Sequence, residues 1–215
     1  MKIALIGATG FVGTAVLNEA LNRGHYVTAI ARNTDKITVS NPNLILKQAD
    51  AYNVNELKAA IAGNDVVVSA FNSGWGNPNI YDDFIKGSET IQQATKEAGI
   101  PRLLIVGGAG SLEIKPGEQL VDSPSFPAEW KNGALAARDY LTTIRKETEL
   151  DWTFLSPAIM LLHDGERTGN YRLGTDQPVF NDQQQSTISV EDMAIAIVDE
   201  LEKGQFIKKR FTVGY

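Results

Sequence analysis

The 215-residue chain is long enough for one domain with its own core, and 43% hydrophobic with 21% charged residues is an ordinary globular composition. A net charge of −6 argues against nucleic acid as a main partner, and no apolar stretch approaches the roughly 18 residues of a membrane span. The lack of cysteine excludes disulfides and thiolate chemistry and fits a cytoplasmic protein. Because the two histidines belong to no ligand-spaced cluster, no metal site is expected.

The first stretch predicts a nucleotide-binding unit. Ile3 to Ile6 is a short apolar run, typical of a strand buried on both faces of a parallel sheet. Gly7, Gly10 and Gly13 follow at the spacing G-x-x-G-x-x-G, and an amphipathic helix pattern leads to a second apolar run, Tyr26 to Ala31. A strand, a glycine turn, a helix and a strand within roughly 30 residues form one βαβ unit, whose helix N-terminus attracts a pyrophosphate.

The end of the second strand bears on the choice of dinucleotide. An NAD-selective site places an acid there for the ribose 2′-hydroxyl, but the first acid is Asp35. Arg32 stands where a guanidinium could contact a 2′-phosphate, which favours NADP(H) over NAD(H). The alternative is an ordinary solvated arginine at a strand end.

The rest of the chain alternates between strand and helix patterns. Predicted strands cover 44–50, 65–71, 102–106, 152–156 and 211–213, and predicted helices cover 53–62, 80–98, 132–148 and about 190–203. The alternation predicts one α/β domain over residues 1–215, a doubly wound parallel sheet of Rossmann type. The loops near 72–79, 111–130 and 158–188 follow strand ends, where such sheets bind ligands. The basic run Lys208 to Arg210 is interpreted as a solvated lead-in to the last strand.

Four motifs give the chain a family resemblance. It resembles the atypical short-chain dehydrogenase/reductases, in particular the small NAD(P)-binding group of NmrA-like, biliverdin reductase B-like and NADH-flavin reductase proteins. The resemblance rests on Gly7 to Gly13, Asp151 to Ala158, Gly165 to Gly169 and Ile188 to Ala194. It implies cofactor contacts at these residues: Gly7, Thr9, Gly10, Phe11 and Val12 for the pyrophosphate, Arg32 for the 2′-phosphate, Asp50, Ala51, Ala70 and Phe71 for the adenosine, and Gly107 and Pro157 for the nicotinamide.

The departures from that family shape the functional hypotheses. No tyrosine has a lysine four residues later, and Gly107-Gly108 replaces the usual catalytic Ser or Thr, so the catalytic residues are unknown. Ser111, three residues on, is interpreted as a turn hydroxyl.

The first hypothesis is an NADPH-dependent reductase of a small planar acceptor such as a flavin or quinone, by direct hydride transfer. Trp75, Phe126 and Trp130, in the acceptor-side loops, could line its pocket or simply anchor those loops. The second is a non-catalytic NADP(H) redox sensor of NmrA type. A sugar-nucleotide epimerase or dehydratase ranks last because it needs the Tyr–Lys pair. The oligomeric state is left open.

Overall fold

The first strand of the computed structural model, which describes residues Met1–Tyr215, is buried on both faces. Ile3 and Leu5 pack in one hydrophobic cluster, and Ala4 and Ile6 pack in the cluster on the opposite side. This is the environment that an apolar run without polar alternation predicts.

Twelve strands and five helices follow one another along the chain. The strands are β1 Lys2–Ile6, β2 Tyr26–Ala31, β3 Leu44–Gln48, β4 Val66–Ser69, β5 Arg102–Val106, β6 Glu113–Lys115, β7 Glu118–Gln119, β8 Asp151–Ser156, β9 Met160–Leu162, β10 Arg172–Gly174, β11 Thr187–Ser189 and β12 Lys209–Gly214. The helices are α1 Phe11–Asn22, α2 Val54–Ile61, α3 Ile80–Glu97, α4 Ala128–Ile144 and α5 Val190–Lys203. None of the helices combines the length and the apolar character needed to cross a membrane.

Eight strands form one sheet in the order β10-β12-β8-β5-β4-β1-β2-β3. All neighbours are parallel except β10, which runs antiparallel to β12. Helices α1 and α5 pack together on one face, and α2, α3 and α4 pack on the other. The predicted Rossmann-type α/β fold is therefore confirmed, with one antiparallel edge strand added.

Helix α4 corrects the prediction at both ends. The expected span was 132–148, but the helix begins at Ala128, directly after Pro127, and ends at Ile144. Gly133 lies inside the helix, where an added Cβ would lie 2.7 Å from the Trp75 ring. Beyond Ile144 the chain turns, and the carbonyl of Glu147 accepts a hydrogen bond from the Trp152 indole at 3.3 Å.

The interpretation of Lys208 to Arg210 as a solvated segment was wrong for its last residue. The Arg210 side chain is only 3% exposed. Its guanidinium pairs with Asp176 and donates to the carbonyl and hydroxyl oxygens of Ser111, at 2.9 and 3.1 Å. These partners lie far away in sequence, so Arg210 joins the loop after β5 and the loop after β10 to the sheet.

Candidate functional site

The glycine turn between β1 and α1 has no room for side chains. Gly7 adopts a φ of +82°, and a Cβ there would lie 2.5 Å from the carbonyl oxygen of Ala70. The N–H of Gly7 donates to the Ile30 carbonyl at 3.0 Å, and the Gly7 carbonyl accepts from Gly10 at 3.0 Å. A Cβ at Gly13 would lie 2.1 Å from that same Gly7 oxygen. Glycine at 7 and 13 thus allows the turn and the close packing of α1 upon it.

The turn leaves several backbone N–H groups without partners. Thr9, Phe11 and Val12 donate to no carbonyl or side chain of the protein. Gly10, the residue that caps α1, has no side chain to satisfy them, and the first turn of the helix carries no acid. Free N–H groups at a positive helix end, with no competing carboxylate, fit a bound pyrophosphate.

Three strand ends bring further predicted residues to the same edge of the sheet. Ala70 and Phe71 follow β4, Gly107 follows β5, and Pro157 follows β8. The strand order reverses beside β1, where dinucleotides bind in doubly wound sheets. The Gly107 backbone lies directly against the Phe154 ring. A Cβ added at Gly107 would lie 2.0 Å from that ring.

Arg32 follows the end of β2, and Asp50 and Ala51 follow the end of β3. Arg32 is exposed and makes no ion pair or hydrogen bond within the chain. Asp50 is half-buried, and its carboxylate accepts from the Tyr52 N–H at 3.1 Å. Ala51 is buried. Arg32 is therefore a free cation at the tip of the second strand, as a 2′-phosphate contact requires.

Tyr52 is a residue of this region that the sequence analysis missed. Its ring packs edge-on against Phe71, with centroids 5.9 Å apart, and the Lys86 ammonium lies 5.7 Å from its centre. Burial raises the pKa of Tyr52, Asp83 and Asp50 raise it further, and Arg32 partly offsets the shift. An aromatic residue four positions past the end of β3 was the only available signal.

Exposed apolar side chains stand on the elements that follow β4, β5 and β8. Trp75 is 59% exposed, Trp130 is 52% exposed and Met160 is 56% exposed. Phe126 is half-buried in the segment before α4. Trp130 was expected in a loop, but it lies in the first turn of α4 because that helix begins early. These residues give the loops near 72–79, 111–130 and 158–188 an apolar character.

No tyrosine on α4 can serve as a proton donor. Tyr140 is 1% exposed, and its hydroxyl donates to the Ser88 carbonyl at 3.2 Å and lies 3.3 Å from Gln92 Oε1. Burial raises the pKa of Tyr140 far above its ordinary value. Ser111 is buried and accepts from Arg210, which is a structural use of its hydroxyl. No group of three or more His, Asp or Glu side chains could hold a metal ion.

Residues 7–203 match the sequence profile of an NAD(P)H-binding family. The chain belongs to this family. Its curated relatives include the uncharacterised Bacillus subtilis protein YwnB, 37% identical over 99% of this chain and 98% of that protein.

Solved structures of similar proteins carry different names. A putative epimerase from Bacteroides thetaiotaomicron is 49% identical, covers 100% of this chain and 96% of its own, and superposes with a TM-score of 0.92. A putative NADH-flavin reductase from Streptococcus pneumoniae is 40% identical, covers 100% and 99%, and gives a TM-score of 0.87. The resemblance to short-chain dehydrogenase-like NAD(P)-binding proteins is thereby confirmed.

Proposed function

We propose that this protein is an NADP(H)-dependent reductase that transfers hydride directly to a flavin, a quinone or a similar planar acceptor. The observation that carries the proposal is the composition of the edge beside the glycine turn. Exposed tryptophans stand on the elements that follow the strand ends, while the tyrosine of α4 is buried and hydrogen-bonded. An apolar rim without a positioned acid suits stacking and hydride transfer better than carbonyl protonation.

The residues of the turn have the properties that the cofactor needs. The N–H groups of Thr9, Phe11 and Val12 would hold the pyrophosphate, and Arg32 would pair with the 2′-phosphate. When bound, the nicotinamide supplies the hydride. What the chain contributes is binding and orientation.

The proposed acceptors do not need a proton-donating side chain. A flavin or quinone that receives a hydride takes its proton from water, so no side chain has to deliver one. Trp75 and Trp130 offer flat apolar surfaces for such a ring. Their exposed fractions leave that surface accessible.

The two solved relatives are named as an epimerase and as an NADH-flavin reductase. The tyrosines of this chain favour the reductase reaction. Epimerase chemistry needs a tyrosine and a lysine acting together beside the nicotinamide. Tyr140, the tyrosine on the helix after β5, is closed off from solvent. Tyr81, at the start of α3, donates to Asp139 at 2.7 Å, and this hydrogen bond, with burial, raises the pKa of Tyr81. We therefore prefer a reductase.

The test is turnover with defined acceptors. Purified protein is mixed with NADPH and FMN, FAD or a simple quinone, and the loss of nicotinamide absorbance is followed. We expect turnover with at least one acceptor and a higher acceptor KM for Trp130→Ala. Tyr26→Ala is the matched control, because Tyr26 is equally exposed, at 57%, but begins β2 at the opposite edge of the sheet.

The second candidate is a redox sensor that binds NADP(H) without turnover. The same lack of a positioned acid favours it over an epimerase. Tight NADPH binding with no oxidation by any of the three acceptors would support the sensor and contradict the reductase.

A further inference from the structure

The segment from His163 to Gly169, called the strap below, starts against the glycine turn. The His163 imidazole stacks on the Phe11 ring, with centroids 3.9 Å apart and planes 15° from parallel. Phe11 is the first residue of α1, and its N–H is one of the free donors of the turn. Both rings are exposed to solvent. The imidazole therefore stands at the mouth of the phosphate site.

Two buried carboxylates fix the strap in this position. Glu19 on α1 accepts two hydrogen bonds from the Arg167 guanidinium, at 3.0 and 2.9 Å. Asp192 on α5 accepts from the N–H groups of Thr168 and Gly169, at 2.9 and 2.8 Å. Glu19 is 4% exposed and Asp192 is 0% exposed, so both anchors are part of the packed core. The strap is anchored at Glu19, in the second half of α1, and reaches Phe11 at the start of the helix through His163.

The charges around His163 leave an incoming anion free to pair with it. On the strap itself, Asp164 and Glu166 are exposed carboxylates, and Arg167 is occupied by Glu19. The first turn of α1 carries no acid. On α5, Asp192 is saturated by the strap amides, the Thr168 hydroxyl and Tyr215. Glu191, in the first turn of α5, has one buried carboxylate oxygen without a hydrogen-bond partner.

We propose that His163 is a further cofactor-binding residue, which closes the phosphate site from the strap side and, when protonated, pairs with the pyrophosphate. The proposal rests on the nucleotide binding proposed above. It predicts that part of the cofactor affinity depends on pH. A protonated imidazole attracts the pyrophosphate and a neutral one does not, so the contribution of His163 to cofactor affinity should be present at acidic pH and lost at alkaline pH.

The test compares NADP⁺ dissociation constants of wild type, His163→Phe and His163→Ala by calorimetry at pH 6.0 and pH 8.5. Phenylalanine keeps the stack on Phe11 without the charge. The 2′-phosphate titrates near pH 6 in every complex, so only the ratio of mutant to wild-type Kd is interpreted. We expect the His163→Phe ratio to be about threefold to tenfold at pH 6.0 and about one at pH 8.5. His163→Ala should lose affinity at both values.

His25 provides a matched control, because the chain has only two histidines. Its Nε2 lies 2.8 Å from Glu202 and its Nδ1 lies 3.3 Å from the N-terminal amine, so His25→Phe should give a ratio of one at both pH values. A His163→Phe ratio that does not change with pH would overturn the proposal while leaving nucleotide binding intact. A wild-type protein that binds no NADP⁺ at either pH would overturn both.

Discussion

Replacing Gly10 by alanine separates cofactor binding from folding. Gly10 has a φ of −81°, which alanine adopts without strain. An added Cβ would meet only one atom, the Gly7 oxygen, at 3.3 Å, so a shift of a few tenths of an ångström accommodates it. We expect the free energy of unfolding to change by less than about 1 kcal/mol.

The methyl group would stand beside the free N–H groups of Thr9, Phe11 and Val12. A pyrophosphate kept out of reach would lose one or two charge-assisted hydrogen bonds, each about 1.5–3 kcal/mol. The NADPH dissociation constant should therefore rise at least about tenfold. Urea unfolding measures the first quantity, and calorimetric titration with NADPH measures the second.

Alanine substitutions at two other glycines provide reference values for the change in unfolding free energy. Gly63 has a φ of +80° with no atom within 4 Å of an added Cβ, so Gly63→Ala costs only backbone strain, about 1–2 kcal/mol. Gly7→Ala has the same strain and a clash with the Ala70 carbonyl, which adds about 1–3 kcal/mol. A folded Gly10→Ala protein that binds NADPH like wild type would refute the assignment of the turn as the phosphate site.

Three more substitutions test other parts of the account. Arg32→Ala should weaken NADPH binding by about tenfold and leave NADH binding unchanged; equal losses for both cofactors would contradict a 2′-phosphate contact. Tyr140→Phe should lower the free energy of unfolding by about 1 kcal/mol without changing NADPH turnover, and a collapse of kcat would show that this hydroxyl acts in catalysis. Burial alone would raise the pKa of Glu147, but hydrogen bonds from the Glu149 N–H, Gln92 and Lys96 lower it from 4.5 to about 2. The stability lost in Glu147→Gln should therefore be full above pH 4.5 and vanish as pH falls toward 2; a constant difference in unfolding free energy across that range would exclude the shift.

The first βαβ unit was predictable because its determinants are local. The buried run of β1, the three glycines and the stripe of α1 all lie within one short stretch of chain. The buried strand β4 was predictable for the same reason. The start of α5 is also locally determined, because the Ser189 hydroxyl accepts from the Asp192 N–H at 3.0 Å.

The features that the sequence could not predict depend on partners far along the chain. From the sequence, Arg210 is expected at the surface. The fold brings Asp176 and Ser111 beside it, and Arg210 binds both. Strand β10 has three residues, and its antiparallel pairing with β12 is set by the chain folding back rather than by its own pattern. Helix α4 begins directly after Pro127, whereas the sequence pattern predicted a start at residue 132.

The candidate site divides in the same way. The glycine turn that we propose for the pyrophosphate was predictable from its spacing and its flanking strand and helix, but Tyr52 packs against Phe71 and His163 against Phe11 only because loops carry them there. Neither residue lies inside a motif, although His163 comes two residues before the Gly165 to Gly169 motif. The strand order brings Phe71 and Gly107 to one edge of the sheet, because it places the ends of β4 and β5 next to each other.

The most direct measurement is a calorimetric titration of cofactor-stripped protein with NADPH and, separately, with NADH. Saturable binding of one molecule per chain, tighter for NADPH, is the predicted result. A titration that shows neither heat nor saturation with either nucleotide would contradict the phosphate site, and the proposed redox chemistry would fall with it.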